Sequence, residues 1–301
     1  MTTITAKIVA DSIAPHGVRL TTMQLRYPKY IHGELMTHRV FSRNASSSRA
    51  VPVHRMIDDV LRDPVRPTHW GKNQPGMQAH AELTGDALFS TQMEWQHAMD
   101  EAVNRARRMA NNGAHKQIVN RVLEPFAHIN VLVTSTEWAN FFHLRRHPDA
   151  QPEMRALAHV VYDARRSSTP KLLLPGQWHL PYITDRDWAS LPSGDPGDLY
   201  EDTDTLIKVS VARCARVSYL THEGEPPKME DDLKLYRRLV ASEPLHASPA
   251  EHQATPDTCH GDCAPVGFKS QLWWDHPEEH GNFKGWRQFR KTLPGEAILD
   301  R

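Results

Sequence analysis

Residues 37–50, THRVFSRNASSSRA, place three arginines and a histidine among serine and asparagine side chains, with few apolar residues between them. Such a stretch has too little apolar surface to lie in a core, and it is too varied to be a low-complexity linker. Guanidinium groups beside hydroxyl and amide donors provide what a phosphate-bearing ligand needs. The stretch is therefore a candidate phosphate-binding loop, and a solvated loop rich in capping residues is the alternative that its composition leaves open.

Three other parts of the chain carry polar side chains at close spacing. They are KQIVNRVLEP, which contains Arg121, NFFHLRRHPDAQPEMR, which contains Arg145, and the pair ARVSY (215–219) and HASPAEH (246–252). In HASPAEH, Ser248, Pro249 and Glu251 have the order of a helix capping box with proline at the first helical position.

The charge balance of the chain excludes some classes of function. Of the 301 residues, 36 are Lys or Arg and 36 are Asp or Glu, so the overall field is weak and does not predict bulk binding to nucleic acid or to a membrane. No stretch approaches the ~18 consecutive apolar residues of a membrane span. The N-terminus lacks the basic and then apolar pattern of a signal peptide.

The cysteines indicate a reducing compartment. The chain has only three, an odd and low number, and we therefore expect a cytoplasmic protein, in the host cytoplasm if the source is viral. Cys259 and Cys263 enclose CHGDC, which is one residue wider than the common zinc-binding pair, and no second pair exists. We predict no metal site.

The hydrophobic periodicity predicts an α+β fold, in which a small and mostly antiparallel sheet packs with several helices. Alternating β-branched residues predict strands at 6–13, 19–27 and 128–135. Helical spacing predicts helices at 30–40, 85–112, 115–123, 136–146, 150–166 and 229–242. The stretch 206–219 has the pattern of either a strand or the start of a buried helix.

The four polar stretches together resemble the flavin-dependent thymidylate synthases. The signature of that family is R-H-R-x-x-S-x-N-E-x-S-x-R-Y, and this chain has His38-Arg39, Ser42, Asn44, Ser47 and Arg49 in register. The preceding strand ends at Pro28, NRVLEP resembles the family's Arg before V-L-P, and NFFHLR…DAQPEMR resembles the family's helix with its A-Q-x-E-x-R run. The resemblance implies the same α+β fold as the periodicity.

The order of these segments differs from that of the family. ARVS and H-x-[ST]-P-x-E-H normally precede the arginine motif, whereas here they come last. We interpret the chain as a circularly permuted relative, similar to forms found in bacteriophages, because moving chain ends that lie close together costs little. On this interpretation 1–167 is a core with the nucleotide and flavin loop, 168–205 is a linker or lid, and 206–301 is the permuted segment that completes the flavin site of one integrated domain.

The resemblance implies a reaction and a set of site residues. The family transfers a one-carbon unit from methylenetetrahydrofolate to C5 of dUMP, with reduced FAD supplying hydride and NADPH reducing the flavin. Five positions match nucleotide-binding residues: Glu34, Ser47, Arg49, Arg121 and Arg145. Seven positions match residues that bind the cofactor: His38, Arg39, Asn140, Ser218, His246, Ser248 and Glu251. Arg145 is the catalytic candidate, because a guanidinium against a pyrimidine carbonyl stabilises negative charge in the ring.

The family also implies an assembly. Its members form homotetramers whose sites combine loops from several subunits, so we expect a homo-oligomer with shared sites. Small-molecule nucleotide and folate are the expected partners, and nucleic acid and membrane are not.

Several positions depart from the family pattern. Thr37 and Thr136 replace arginines, Ala45 replaces a Glu and Ala50 a Tyr, and Arg43 or Arg146 could compensate for the lost charge. Glu34 stands where the family has Gln and Asp149 where it often has His. An acid accepts from the exocyclic amine of cytosine, which leaves dCMP as substrate, or a 5-hydroxymethyl product, as an alternative.

Two interpretations from other classes remain open on the sequence alone. A nucleotide- or nucleic-acid-binding relative could have kept the fold and lost the flavin, using the basic segment KGWRQFRK (284–291) to contact phosphates. A histidine-rich metallohydrolase ranks last, because no H-E-x-x-H or comparable ligand spacing is present.

Overall fold

The computed structural model describes residues 3–191, 198–217, 227–240, 243–261 and 273–297. The strands are β1 (Thr5–Ile13), β2 (Arg19–Pro28), β3 (Ser42–Ala45), β4 (His128–Ser135), β5 (Lys171–Leu172), β6 (Ala254–Pro256), β7 (Cys259–His260), β8 (Trp273–Trp274) and β9 (Trp286–Gln288). The helices are α1 (His32–Leu35), α2 (Val53–Arg62), α3 (Gly85–Asn111), α4 (Lys116–Val119), α5 (Ala139–Arg145), α6 (Pro152–Ser167), α7 (Asp185–Ala189), α8 (Asp198–Arg216) and α9 (Met229–Val240). Short 3₁₀ helices lie at Lys29–Ile31, Asn120–Phe126, Ser248–Glu251, Pro277–Glu279 and Phe289–Thr292.

A five-stranded sheet in the order β3-β4-β2-β1-β5 organises the fold. All its strand pairs are antiparallel except the short pairing of β1 with β5. The turn between β1 and β2 contains Gly17 at a φ of 86°, a left-handed conformation that glycine adopts without a Cβ clash. The prediction of an α+β fold with a small, mostly antiparallel sheet is confirmed.

The two faces of the sheet differ in chemistry, because successive side chains of a strand point to opposite faces. Met23, Leu25 and Tyr27 of β2 lie in a buried apolar cluster with residues of α5 and α6. On the other face, Gln24 and Arg26 line a cavity. One face of the sheet therefore forms an apolar core, while the other combines a smaller buried cluster around Leu132 with polar side chains that line the cavity.

A second apolar cluster joins α2, α3 and the segment 116–127. Met99, Val103 and Ala106 of α3 are buried in it, with Ala102 and Met109 at its edge, as the helical spacing predicts. The predicted buried stripe of the helix at 150–166 is likewise confirmed, because Met154, Leu157, Ala158 and Val161 of α6 are all buried.

Four boundaries differ from the predictions, each for a physical reason. The helix predicted at 30–40 ends at Leu35, and the polar loop after it contains the strand β3, which depends on pairing with β4. The helix predicted to end before Pro125 is one α turn followed by a 3₁₀ helix that continues to Phe126. Residues 206–216 of the stretch 206–219 belong to helix α8, which begins at Asp198 within the segment assigned to the linker, and residues 218 and 219 lie outside the described residues. The helix predicted at 136–146 begins only at Ala139, because a turn in which Glu137 N donates to Ser135 Oγ follows β4 and Trp138 is the N-terminal cap of the helix.

None of the helices in the described ranges combines the length and apolar composition needed to cross a membrane. Cys263 of the CHGDC stretch lies outside the described residues.

Candidate functional site

Arg145 ends α5 and is held by three side chains of the segment that precedes β3. Its Nε donates to His38 Nε2 at 3.0 Å, Nη1 donates to Glu34 Oε2 at 3.2 Å, and Nη2 donates to Thr37 Oγ1 at 3.2 Å. Phe141, one turn earlier on α5, is buried against the sheet, which directs the end of the helix toward α1. The guanidinium is thus fixed from several sides while 22% of the Arg145 side chain stays exposed.

Burial and two neighbouring arginines together keep the His38 ring neutral. Its ring is buried between Phe41 and Phe141, at centroid distances of 5.7 and 5.0 Å. Burial lowers the pKa of His38 to about 4, and the positive charges of Arg145 and Arg43 contribute to this shift. The imidazole is neutral near pH 7, and its Nε2 accepts the hydrogen bond because a guanidinium can only donate.

The arrangement leaves donors of Arg145 for a ligand. A guanidinium has five N–H groups, and three of them are used by His38, Glu34 and Thr37. The remaining two N–H groups can donate to a ligand. The guanidinium that carries them is already held in position before the ligand binds. Such a group can stabilise negative charge that develops on a carbonyl oxygen.

Ser47, Arg49 and Arg121 lie on a second surface, at the other end of β3. All three are exposed. The carboxylate of Glu124 joins their segments: its Oε1 accepts from Ser48 Oγ at 2.6 Å and from Arg121 Nη1 at 3.2 Å. Lys29 Nζ donates to the same oxygen at 2.5 Å. Hydroxyl and cationic groups therefore gather at this edge, as phosphate binding requires.

The two groups of predicted nucleotide residues are not brought together within one chain. His38 precedes β3 and Ser47 follows it, and the four residues of β3 span about 13 Å at the usual rise of a strand. Arg145 therefore lies with Glu34, while Arg49 and Arg121 lie beyond the far end of the strand.

The late segment HASPAEH packs against β3. Its residues Ser248–Glu251 form a 3₁₀ helix, and Ala247, not Ser248, is the N-terminal cap and makes no side-chain capping bond. The predicted capping box is therefore wrong: the Glu251 carboxylate forms an ion pair with Arg290 instead. His246 and Ser248 are exposed.

Other contacts tie the end of the chain to the arginine motif. Asn44 Nδ2 donates to the carbonyl of Cys214, just before Ala215-Arg216-Val217, at 3.2 Å. Gln288 Nε2 donates to Ser42 Oγ at 3.2 Å and to the Glu251 carbonyl at 2.9 Å. The segments that the family places before the arginine motif thus lie beside it in space.

A cavity of about 850 Å³ lies between α5 and α6, and we call it the α5–α6 pocket. Its lining residues are Arg19, Val40, Thr136, Glu137, Trp138, Ala139, Asn140, Phe142, Tyr162, Arg165 and Arg166. Asn140 is therefore in a pocket together with position 136, where the family has an arginine. Arg39 is exposed and precedes Val40 at the rim.

A second cavity, of about 380 Å³, lies on the polar face of the sheet under α2. Ser46, Ser48, Lys29 and Arg216 are among its lining residues, and so is Val217. Ser218, a predicted cofactor residue, directly follows Val217 but lies outside the described residues.

Sequence reasoning missed a buried polar chain under the sheet. His179 contacts Ser12 Oγ at 2.8 Å and Thr22 Oγ1 at 2.7 Å, and Thr134 Oγ1 lies 2.7 Å from Thr22 Oγ1 and 2.8 Å from His252 Nδ1. Burial lowers the pKa of both His179 and His252 to about 3. The final histidine of HASPAEH was the available signal, and it serves to join the late segment to the sheet.

The basic segment 284–291 is not a free cationic surface. Arg287 pairs with Glu279 at 2.5 Å, and Lys291 pairs with Glu296 at 2.6 Å. Trp286 and Phe289 of the same segment are buried. These side chains hold the segment to the fold.

Comparison with known proteins identifies the family. Residues 18–171, just over half of the chain, match the family model described as thymidylate synthase complementing protein. The chain belongs to this family. It is accordingly an enzyme, a methyltransferase similar to the flavin-dependent thymidylate synthases, whose chemistry is the C5 methylation of a pyrimidine nucleotide.

Among solved structures, the chain is similar to a UMP/dUMP methylase PolB from Streptomyces cacaoi. The crystal structure bound with 5-Br UMP has a TM-score of 0.43 and 19% sequence identity, over 55% of this chain and 89% of that chain. The structure bound with 5-Br dUMP has a TM-score of 0.44 and 17% identity, over 55% of this chain and 90% of that chain. No curated protein matches the chain.

Proposed function

We propose that this enzyme methylates dUMP at C5 to give dTMP, with methylenetetrahydrofolate as one-carbon donor, FAD as cofactor and NADPH as reductant. The observation that carries the proposal is the fixed guanidinium of Arg145. Glu34, Thr37 and His38 hold it in place and leave two of its N–H groups able to donate to a ligand. The loop that holds it is the one in which the family's signature lies.

The role of Arg145 follows from the electronics of the substrate. C5 of uracil becomes nucleophilic when negative charge is placed in the ring and on a carbonyl oxygen. A guanidinium that donates to that oxygen stabilises this charge, and it does so most when it is positioned in advance. His38 is neutral, so Glu34 is the only anion that offsets Arg145 among its three partners.

The residues of the α5–α6 pocket fit a flavin. The pocket has the volume of a cofactor site, aromatic walls from Phe142 and Tyr162, and a buried Arg165 Nε that has no hydrogen-bond partner among the described residues. Of the predicted cofactor residues, Asn140 lines the pocket and Arg39 borders it, while His246, Ser248 and Glu251 belong to the late segment beside β3. FAD, when bound and reduced, would supply the hydride that completes the methyl group.

The contacts of the two acidic departures favour uracil over cytosine. The Glu34 carboxylate accepts from Arg145, so it is engaged in positioning the cation. Asp149 is exposed and lies 3.6 Å from His147 Nδ1. Each acid therefore has a partner within the protein, although Glu34 Oε1 is not engaged by Arg145. A cytosine substrate or a 5-hydroxymethyl product is the second candidate, and Glu34 is the residue that would favour it.

The Arg145→Ala variant tests the catalytic role. We expect the variant to bind FAD like the unaltered protein but to form dTMP about 10²–10³-fold more slowly, as for removal of a positioned charge-stabilising donor. Product is identified by mass after incubation with dUMP, methylenetetrahydrofolate and NADPH. Arg107→Gln, an exposed arginine on α3, is the control and should be unaffected. Normal dTMP formation by Arg145→Ala would contradict the assigned role.

We also propose that the site is shared between copies of the chain. Arg145 lies near the start of β3, and Arg49 and Arg121 lie beyond its end, so we propose that a nucleotide bound to Arg145 through its base takes its phosphate to these residues of a neighbouring copy. Loops from neighbouring copies would supply the second group. The packing of residues 214 and 251 beside β3 is in keeping with the permuted order proposed from the sequence.

Mixing two inactive variants tests the shared site. Arg145→Ala and Arg121→Ala should each be inactive alone, and subunit exchange should restore part of the activity because some sites then receive both native residues. Each variant mixed with itself is the control. A monomeric mass together with no activity in the mixture would refute the shared site.

A further inference from the structure

Two arginines on α6 line the α5–α6 pocket and have no role in the site around Arg145. Arg165 is partly buried, and its Nε atom is fully buried without a hydrogen-bond partner in the described part of the chain. Arg166 is exposed, and no ion pair of its side chain occurs among the described residues. The pocket therefore presents two guanidinium groups that form no ion pair with a carboxylate in the described part of the chain.

The third arginine of the pocket is already engaged. Arg19 donates to both oxygens of Asp11, at 2.8 and 2.5 Å, and to the backbone carbonyls of Arg165 and Ser168. It adds to the positive field at Arg165: burial lowers the pKa of Arg165, and Arg19 lowers it further, against the attraction of Asp11. Positive charge in this position is stabilised by an anionic ligand.

The opposite wall contains Thr136, where the family has an arginine. Thr136 Oγ1 accepts a hydrogen bond from the backbone N–H of Lys284 at 3.2 Å. The C-terminal segment therefore passes against position 136, which carries no charge in this chain. Positive charge on this pocket has to come from elsewhere, and Arg165 and Arg166 are the arginines on the facing helix.

Aromatic side chains line the space between these groups: Trp138 is buried, and the Arg146 guanidinium covers one face of Tyr162, 3.8 Å from its ring centroid. Trp138 and Phe142 are stacked with centroids 6.0 Å apart, and Phe142 and Tyr162 meet edge to face at 5.2 Å. Glu137 is the acidic residue among those lining the pocket. An aromatic wall next to two guanidinium groups matches a ligand that combines a ring with a diphosphate.

We propose that Arg165 and Arg166 bind the diphosphate of FAD in the α5–α6 pocket, in place of the arginines that the chain lacks at positions 37 and 136. The inference rests on the proposed use of FAD. In this proposal the positive charge comes from the last turn of α6. In the family it comes from the loop at position 37 and from the end of β4 at position 136.

Ligand binding to the purified protein tests the assignment without turnover. The affinities for FAD and riboflavin are measured by flavin fluorescence, and that for NADPH by its own fluorescence, for the unaltered protein, Arg166→Gln, Arg166→Lys and the double variant Arg165→Gln/Arg166→Gln. The control is Arg107→Gln. Circular dichroism and thermal unfolding check the fold, and Arg166→Gln keeps the test valid if the change at the partly buried Arg165 perturbs folding.

We expect FAD affinity to fall about 10-fold in Arg166→Gln and about 100-fold in the double variant, as for the loss of one and two charge-assisted contacts. Arg166→Lys should lose less than Arg166→Gln, and riboflavin affinity should stay within about 2-fold, because riboflavin has no phosphate.

Three results would overturn the inference alone: unchanged FAD affinity in the double variant, an equal loss for FAD and riboflavin, or a loss for NADPH with FAD unaffected. If the unaltered protein binds no flavin at all, the proposed function fails and the inference with it.

Discussion

Replacing Glu34 by glutamine separates two roles for a residue of the proposed pyrimidine site that departs from the family pattern. In one role the carboxylate positions Arg145, and in the other it contacts the base. The amide oxygen of glutamine still accepts from Arg145 Nη1, but the ion pair at 3.2 Å is lost. With 22% and 38% of the two side chains exposed, such a pair contributes about 0.5–1 kcal/mol.

That magnitude sets the expected kinetic effect. Thr37 and His38 continue to hold the guanidinium, so kcat for dUMP should fall about 2–5-fold, far less than the 10²–10³-fold expected when Arg145 itself is removed. The ratio of kcat/KM for dUMP over dCMP should not change, because the carboxylate is directed at the arginine.

The assay measures product mass and initial rate with each nucleotide in turn, in the presence of methylenetetrahydrofolate and NADPH. Glu94→Gln, an exposed carboxylate on α3, is the matched control. A change of more than about 10-fold in the nucleotide ratio would refute the positioning role, because it would show that Glu34 contacts the base. An unchanged kcat would show that Glu34 does not position Arg145.

Three further predictions concern the interior. The folded pKa values of His179 and His252, about 3, lie below the ordinary value of 6.5, so stability is present above pH 6.5 and is lost as pH falls toward 3. Urea unfolding should show a slope of up to ~1.4 kcal/mol per pH unit for each histidine, and His252→Gln should remove its share; an unchanged slope would contradict this. Thr134→Val leaves Thr22 and His252 without a shared hydroxyl and should cost about 1–3 kcal/mol of unfolding free energy, whereas Thr91→Val on exposed α3 should cost far less. Burial raises the pKa of the Cys214 thiol, so peptide mass spectrometry should find it unmodified by a thiol reagent until the protein unfolds; rapid native labelling would refute its burial.

The sequence predicted those parts of the fold whose periodicity is long and regular. β1, β2 and β4 alternate over eight to ten residues, and α3 and α6 repeat an apolar stripe over several turns. β3 was missed because its four residues, SRNA, have no apolar alternation. It is a strand only because β4 offers an open edge, which is a property of the assembled sheet.

The site was predictable only in part, for a related reason. The resemblance supplied Arg145 and Glu34 separately, but their contact joins residues 111 positions apart in the chain. Arg165 and Arg166 have the pattern of a solvated helix end, since nothing in their local spacing shows that a pocket opens beside them. The lost arginine at position 136 was visible in the sequence, whereas the hydrogen bond from the Lys284 backbone to Thr136 was not.

The position of the ARVS segment depends on a buried ionic cluster around Arg213. Its guanidinium is 1% exposed and donates to Asp187 at 2.8 Å and to Asp232 at 2.9 Å, and Asp232, fully buried, also pairs with Arg216. The cluster ties α7 and α9 to α8, the helix that ends next to the cavity under α2. Burial alone would raise the pKa of Asp187. Hydrogen bonds from Arg213 and Thr184 outweigh burial, so the pKa of Asp187 is lowered overall.

Arg213→Met should therefore be severely destabilising. It leaves two buried carboxylates without their main cation, and breaking such a cluster costs about 3–5 kcal/mol. Chemical unfolding at pH 7 measures the loss, with Arg237→Met, an exposed arginine of α9, as a control expected within about 0.5 kcal/mol of the unaltered protein. Because the remaining carboxylates can be neutralised by protons, the deficit should shrink as the pH is lowered through the acidic range. A deficit that is small at pH 7, or that does not shrink in acid, would show that these charges do not hold α8 in place.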